Sequence, residues 1–85
     1  MESKQTLDTL AVGETARLLE LGTHGAMRRR FLDLGMIPDT VVECVGKSPL
    51  GDPTAYLIRG AVIALRQKDC RHIFIMKEEV TADEA

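Results

Sequence analysis

A thiol and an imidazole lie two positions apart at Cys70 and His72, the best-placed pair in this sequence for chemistry. In an extended chain both would point to the same side, where they can bind a transition metal or act as nucleophile and base. Cys44 or His24 would have to complete a metal site, but no C-x-x-C or H-x-x-x-H spacing marks one. We therefore expect Cys70 to be a small packed residue and His72 a surface imidazole.

Motifs of the main enzyme classes are missing from the sequence. It has no glycine-rich phosphate loop, no paired carboxylates on one element and no Ser/His/Asp set in a supporting order. Helix and strand packing accounts for Met27 and Met76 better than soft-metal binding does. The sequence predicts a protein that is not an enzyme, with no catalytic residue, no metal ligand and no cofactor.

Consecutive arginines at Arg28, Arg29 and Arg30 form the most visible charge run. On a helix they would fan over the surface, and a solvated helix face is the simplest interpretation. An acidic patch on a partner protein is the main alternative, and an arginine finger for a nucleotide hydrolase is a weaker one. Aromatic residues make up only 4% of the chain, so the stacking that accompanies RNA or DNA binding is not expected.

A short loop with proline at both ends, Pro49 to Pro53, is the most suggestive binding segment. Two prolines restrict the backbone, so binding would cost little ordering entropy. Leu50 at its tip is either an apolar anchor for a partner's pocket or a cover folded back over the barrel. After the helix, Met36 is likewise either tucked under the barrel or exposed as an apolar edge.

The elements that must position these residues follow from the hydrophobic pattern. Met27, Phe31 and Leu34 recur at helical spacing and predict a helix over residues 25–34, with Thr23 as its cap and Gly35 as its end. Alternating and β-branched runs predict strands at 15–21, 40–45, 54–59, 61–66 and 73–76, with a tight hairpin at Gly60 and one helical turn at 67–71. So short a helix must dock on the sheet.

The fold class predicted from this order is mainly β, a small closed barrel with one short helix after the first strand. The length of 85 residues allows one domain. We expect residues 1–6 to be a flexible N-terminus, 7–77 the barrel and 78–85 an acidic disordered tail. The predicted core contains Met27, Phe31, Leu34, Val42, Ile58, Ile63, Leu65 and Ile73.

Charge and composition limit the classes of function that we expect for this protein. The net charge is −2, while residues 6–77 hold ten basic and eight acidic residues. This excess of positive charge is too weak for a general nucleic-acid surface. No apolar run approaches the roughly 18 residues that cross a bilayer. The two cysteines fit free thiols in a reducing cytosol, so we expect a soluble cytoplasmic protein without direct membrane insertion.

The ordered motifs resemble the ferrous iron transport protein A family, FeoA. They are Leu7-x-x-Leu10-x-x-Gly13, RRFLDLGMIP at 29–38, PLGDP at 49–53 and IALR at 63–66. The resemblance implies an SH3-like β-barrel that serves as an accessory to the membrane GTPase transporter FeoB. It would act on the cytoplasmic GTP-binding portion of FeoB, peripheral to the inner membrane. Asp39 stands where the family commonly has glycine, and an aspartate tolerates that turn geometry.

Two other readings stay open beside the transport one. The chain could be a stand-alone SH3-like regulatory module related to the C-terminal domain of iron-dependent transcriptional repressors, or a self-associating barrel. For the contact with FeoB, the predicted partner-binding residues are Arg28, Arg29, Met36, Pro49, Leu50 and Asp52. The arginines would steer the protein toward an acidic surface, and salt should weaken that attraction.

Overall fold

One antiparallel sheet organises the chain, as seen in a computed structural model that describes residues 5–77. The elements in order are β1 Gln5–Thr6, a 3-10 turn Leu7–Thr9, β2 Thr15–Leu21, α1 Gly25–Asp33, β3 Val41–Lys47, β4 Thr54–Ile58, β5 Ala61–Leu65, α2 Gln67–Cys70 and β6 Ile73–Lys77. The strands lie in the order β1-β6-β2-β3-β4-β5. The predicted mainly β class is confirmed, and the short helix follows β2, the strand at 15–21 that was predicted to be the first. The predicted acidic tail 78–85 lies outside the described residues.

The N-terminal boundary of the barrel differs from the prediction. Gln5 and Thr6 pair with Ile75 and Phe74 of β6, so they belong to the sheet and not to a flexible terminus. Two contacts hold this strand in place. It pairs with β6, and the residue that follows it, Leu7, is fully buried in the core. Because both residues are polar, they show no hydrophobic pattern, and the sequence therefore did not predict this strand. Within the described residues, the barrel therefore begins at Gln5.

A single hydrophobic core lies on the inner side of the sheet. Its fully buried members come from β2, β3, β4, α2 and β6, from α1 and the turn after it, and from the segment before β2. Of the predicted core residues, Phe31, Val42, Ile58, Leu65 and Ile73 are buried, and Met27, Leu34 and Ile63 are partly buried against them. Because every strand from β2 to β6 offers one face to the same cluster, the sheet encloses its core as a small barrel does.

A β-bulge in β2 changes which side chains face inward. Leu18 pairs with Ile75 and Glu20 with Phe74, so the register shifts by one residue between them. Simple alternation would place Glu20 on the inner side with Ala16 and Leu18, but the bulge exposes it and packs Leu21 against the core instead. The extra residue keeps a carboxylate out of an apolar interior.

The helix α1 begins and ends at specific backbone conformations. His24, and not Thr23, occupies the cap position, and no side chain caps the helix there, so the predicted Thr23 cap is wrong. The predicted stop at Gly35 is confirmed, since its φ of 95° is a left-handed value. Asp39 has a φ of 74° a few residues later, which explains why a glycine would also suit that turn.

Gly35→Ala is expected to lower the free energy of unfolding by about 1–2 kcal/mol, since an L-residue resists the left-handed conformation. A methyl group there would also lie 2.4 Å from Cδ of Arg59, whose side chain covers this turn. Urea denaturation of Gly35→Ala, Arg59→Ala and Gly35→Ala/Arg59→Ala separates the two costs, with Arg59→Ala as the reference for the double variant. If the double variant recovers all of the lost stability, backbone strain is not the cause.

Candidate protein-interaction surface

The loop between β3 and β4 is closed by its own backbone. The amide of Ser48 donates to the carbonyl of Pro53 at 3.2 Å, and that of Gly51 donates to the carbonyl of Ser48 at 2.8 Å. Leu50 at the tip is 93% exposed, far more than any other large apolar residue in the described part of the chain. Of the two readings of this leucine, the structure therefore shows the outward one.

Asp52 ties this loop to the short helix α2. Its Oδ1 accepts a hydrogen bond from the backbone amide of Gln67 at 3.0 Å, one of the helix-start amides that lack a helical partner. The side-chain amide of Gln67 in turn donates to Oγ1 of Thr54 at 3.1 Å. Asp52 is thus held as a structural brace that fixes the orientation of the loop, although it remains exposed.

Arg28 and Arg29 lie on the outer face of α1. Both side chains are exposed and border a shallow depression together with Gly25, Leu32 and Asp33. No ion pair involves either arginine within residues 5–77. Their charge is consequently directed to solvent, as a surface that attracts acidic partners requires.

The helix α1 and the loop both adjoin α2, although they are far apart in sequence. Asp52 of the loop binds the first residue of α2, while Arg30 of α1 and Asp69 of α2 border the same groove. The loop that carries Leu50 and the helix that carries the predicted arginines therefore each have one residue beside α2. Pro49, also exposed, flanks Leu50 in this arrangement.

Met36 was predicted to bind a partner, and the structure corrects this. Its side chain is fully buried in the core, and its backbone amide donates to the carbonyl of Phe31 at 3.0 Å. The left-handed turn at Gly35 reverses the chain, so the next residue points inward beneath the helix. Of the two placements left open for Met36, the tucked one is observed.

The two cysteines are free and fully buried, so neither is a surface thiol. Sγ of Cys70 lies 3.7 Å from the hydroxyl of Tyr56, which donates to the carbonyl of Leu7 at 3.3 Å. Burial raises the pKa of the Cys70 thiol to about 11, and it likewise raises the pKa of Cys44 and that of Tyr56. At neutral pH the thiols are protonated, and a protonated thiol is a poor nucleophile and a poor metal ligand.

Metal-ligating side chains are dispersed in residues 5–77. No three of the His, Cys, Asp and Glu side chains there are grouped as a metal ion requires, so the structure does not bring Cys70 and His72 together with Cys44 or His24. Both histidines are exposed, while both cysteines are buried. None of the helices in this region is long and apolar enough to cross a bilayer.

Sequence reasoning missed three features of this region. The Asp52–Gln67 hydrogen bond joins residues 15 apart, and the Tyr56–Cys70 contact joins residues 14 apart, with no local pattern for either. The third is the open edge of β5, which did have a signal. The run Ala61 to Leu65 is apolar throughout and carries no lysine or proline of the kind that protects edge strands.

An antiparallel barrel of this size, with one docked helix and exposed loops around it, defines a small SH3-like domain. Comparison with known proteins identifies it further: the sequence profile of the FeoA domain matches residues 5–77. The chain therefore belongs to the FeoA domain family, which confirms the resemblance seen in its motifs.

Solved structures support the same assignment. The FeoA protein of Chlorobium tepidum is 26% identical, with a TM-score of 0.82 over 86% of this chain and 70% of that one. The FeoA of Stenotrophomonas maltophilia, a zinc complex described as a procaryotic SH3 domain protein, is 24% identical, with a TM-score of 0.72 over 84% of this chain and 88% of that one. A manganese-dependent transcriptional repressor, 15% identical with a TM-score of 0.79 over 92% of this chain and 44% of its own, shares the fold.

A curated relative links the family to ferrous iron transport. It is the fusion protein of Fe(2+) transport protein A with the Fe(2+) transporter FeoB from Porphyromonas gingivalis, 30% identical over 67 residues. That match spans 79% of this chain and 8% of the fusion protein. The chain thus corresponds to a small part of that relative, the greater share of which has no counterpart here.

Proposed function

We propose that this protein is a cytoplasmic, non-enzymatic accessory of a ferrous iron transporter of the FeoB type and acts by binding the transporter's cytoplasmic GTP-binding portion. The observation that carries the proposal is the fusion relative, in which an FeoA domain and FeoB form one chain. Fusion keeps the two units at high local concentration, an arrangement that favours contact between them. FeoA is a family of accessory proteins and not of enzymes.

The candidate surface is suited to such a contact. Leu50 offers an apolar anchor on a loop closed by backbone hydrogen bonds, so binding requires little ordering. Arg28 and Arg29 are exposed and without ion pairs in the described part of the chain, which leaves their charge available to steer an acidic partner. The protein would then reach the inner membrane through its partner.

The direct test is titration of this protein against the soluble GTP-binding domain of the cognate transporter, in the GTP-bound, GDP-bound and empty states, while GTP hydrolysis is followed. We expect saturable binding that weakens as salt is raised, because the arginine contribution is screened. A dependence on nucleotide state would indicate a regulator. Absence of binding at high micromolar concentration would contradict the proposed contact.

The repressor-type alternative has support from the fold alone. The repressor of known structure is 15% identical, a level at which only the architecture is shared. Nothing in residues 5–77 favours a DNA-linked role over the transport role, since the basic excess of residues 6–77 is small. Transport is therefore the single function that we propose.

A further inference from the structure

The strand β5 has one paired side and one open side. It pairs with β4 alone, and it is the last strand of the sheet. The turn between them consists of Arg59 and Gly60 with φ values of 51° and 86°, a two-residue turn of the I′ kind. In such a hairpin the residues next to the turn are hydrogen-bonded, and bonded pairs alternate with unbonded ones.

This alternation decides which backbone groups of β5 face outward. Ala61, Ile63 and Leu65 exchange hydrogen bonds with β4, so the N–H and C=O groups of Val62 and Ala64 point away from it. No hydrogen bond to either amide is present among the described residues. The edge thus offers two donors and two acceptors at the spacing that an incoming strand requires.

A groove runs between this edge and α1. Its β5 side is formed by Ala64, Leu65 and Arg66, and its helix side by Met27, Arg30 and Phe31, with Asp69 of α2 at one point. The lining therefore combines four apolar side chains with two guanidinium groups and one carboxylate. Neither arginine forms an ion pair with Asp69 or with any other acid in residues 5–77.

We propose that this groove is a docking site for an extended segment of a partner protein that adds to β5 as a further strand. The segment carries apolar side chains at alternate positions and an acidic residue near its end. Its backbone pairs with Val62 and Ala64, and its carboxylate lies between Arg30 and Arg66. The inference rests on the edge itself and stands whether or not the proposed transporter supplies the segment.

Charge argues for a separate acidic partner over a second copy of this chain. If two β5 strands paired antiparallel about Ile63, Arg66 of one copy would lie opposite Gly60 of the other, next to its Arg59. Like charges would meet at both ends of that pairing, which disfavours it. If an acidic segment takes the place of the second copy, the same arginines face carboxylates and attract the segment.

The test uses the full-length, 15N-labelled chain and a capped peptide of sequence Asp-Val-Thr-Val-Thr-Val-Asp. We expect saturable shifts of the Val62 and Ala64 amide signals and slower hydrogen exchange at both. A matched peptide with lysine in place of aspartate should bind several-fold more weakly. Unchanged signals at Val62 and Ala64 under millimolar peptide, or equal binding of the lysine peptide, would overturn the proposal.

Two variants address the backbone and the charge separately. Ala64→Pro removes one outward amide without touching the pairs with β4, so it should keep the fold and weaken peptide binding about tenfold. Arg66→Gln should keep the fold too, weaken binding of the aspartate peptide and flatten its salt dependence. If binding is unchanged in Arg66→Gln, the proposal fails even where Ala64→Pro does not fold.

Hydrogen exchange in the free protein shows whether another segment already occupies the groove. Slow exchange at Val62 and Ala64 without peptide, independent of protein concentration, would mean that the chain's own acidic residues 78–85 fill the groove. Slow exchange that increases with protein concentration would mean a second copy. Either result overturns the proposal, which expects fast exchange at both amides until the peptide is added.

Discussion

Phe31→Ala is expected to lower the free energy of unfolding by about 3–5 kcal/mol, the usual cost of removing a large aromatic side chain from a core. Phe31 is 2% exposed and is the one residue of α1 that is fully inside the core. Met27 and Leu34 are only partly buried beside it. The docking of the helix on the barrel consequently depends mainly on this ring.

The size of the domain makes this loss severe. Stability of roughly 0.05–0.15 kcal/mol per residue gives a chain of 85 residues only about 4–13 kcal/mol in total. The midpoint of thermal unfolding, followed by far-UV circular dichroism, should fall by roughly 12–40 °C. Leu32→Ala is the matched control, since Leu32 lies half-buried on the outer side of the same helix and should cost much less. Equal effects of the two substitutions would contradict the assigned packing of α1.

Local patterns predicted the parts of the fold that local physics determines. The spacing of Met27, Phe31 and Leu34 identified the buried face of α1, and Gly35 its end, because side-chain periodicity and left-handed glycines are properties of short segments. The placement of Gln5 and Thr6 was not predictable in this way. Their strand exists through pairing with β6, a contact across the whole length of the chain.

Inward or outward orientation was the least predictable property at single positions. One bulge in β2 was enough to exchange Glu20 and Leu21, because side chains alternate with a period of two. The orientation of Met36 depended on the left-handed turn at Gly35, which directs this side chain into the core. For Leu50 the sequence also allowed two orientations, and the side chain points outward because backbone hydrogen bonds close its loop.

The sequence predicted the charged residues and the apolar tip of the candidate surface. It did not predict the hydrogen bonds that connect the elements carrying them. Arg28, Arg29 and Leu50 are visible in the sequence as unusual residues in suitable segments. That Asp52 braces the loop against Gln67 depends on a hydrogen bond between separate elements. A sequence does not distinguish an aspartate that fixes a loop from one that contacts a partner, and the partner-binding role of Asp52 stays a prediction.

Leu50→Asp is expected to weaken binding to the transporter's GTP-binding domain by about 30-fold or more, the effect of losing an apolar hot-spot residue. An aspartate in the partner's pocket would leave a charge without water or a counter-ion, which adds to the lost contact. The thermal midpoint should stay nearly unchanged, because the side chain is 93% exposed and contributes nothing to the core. Isothermal titration calorimetry and a thermal melt of the same sample measure both quantities.

A matched control separates the loss of this anchor from the addition of charge. Val12→Asp places the same new charge at another apolar residue, 56% exposed, in the turn before β2. It should bind as the parent protein does, apart from a small salt-sensitive effect. Equal weakening by both substitutions would show that net charge, and not the apolar tip, governs the affinity. Unchanged binding of Leu50→Asp would exclude the β3–β4 loop from the contact and leave the arginines of α1 or the β5 edge to provide it.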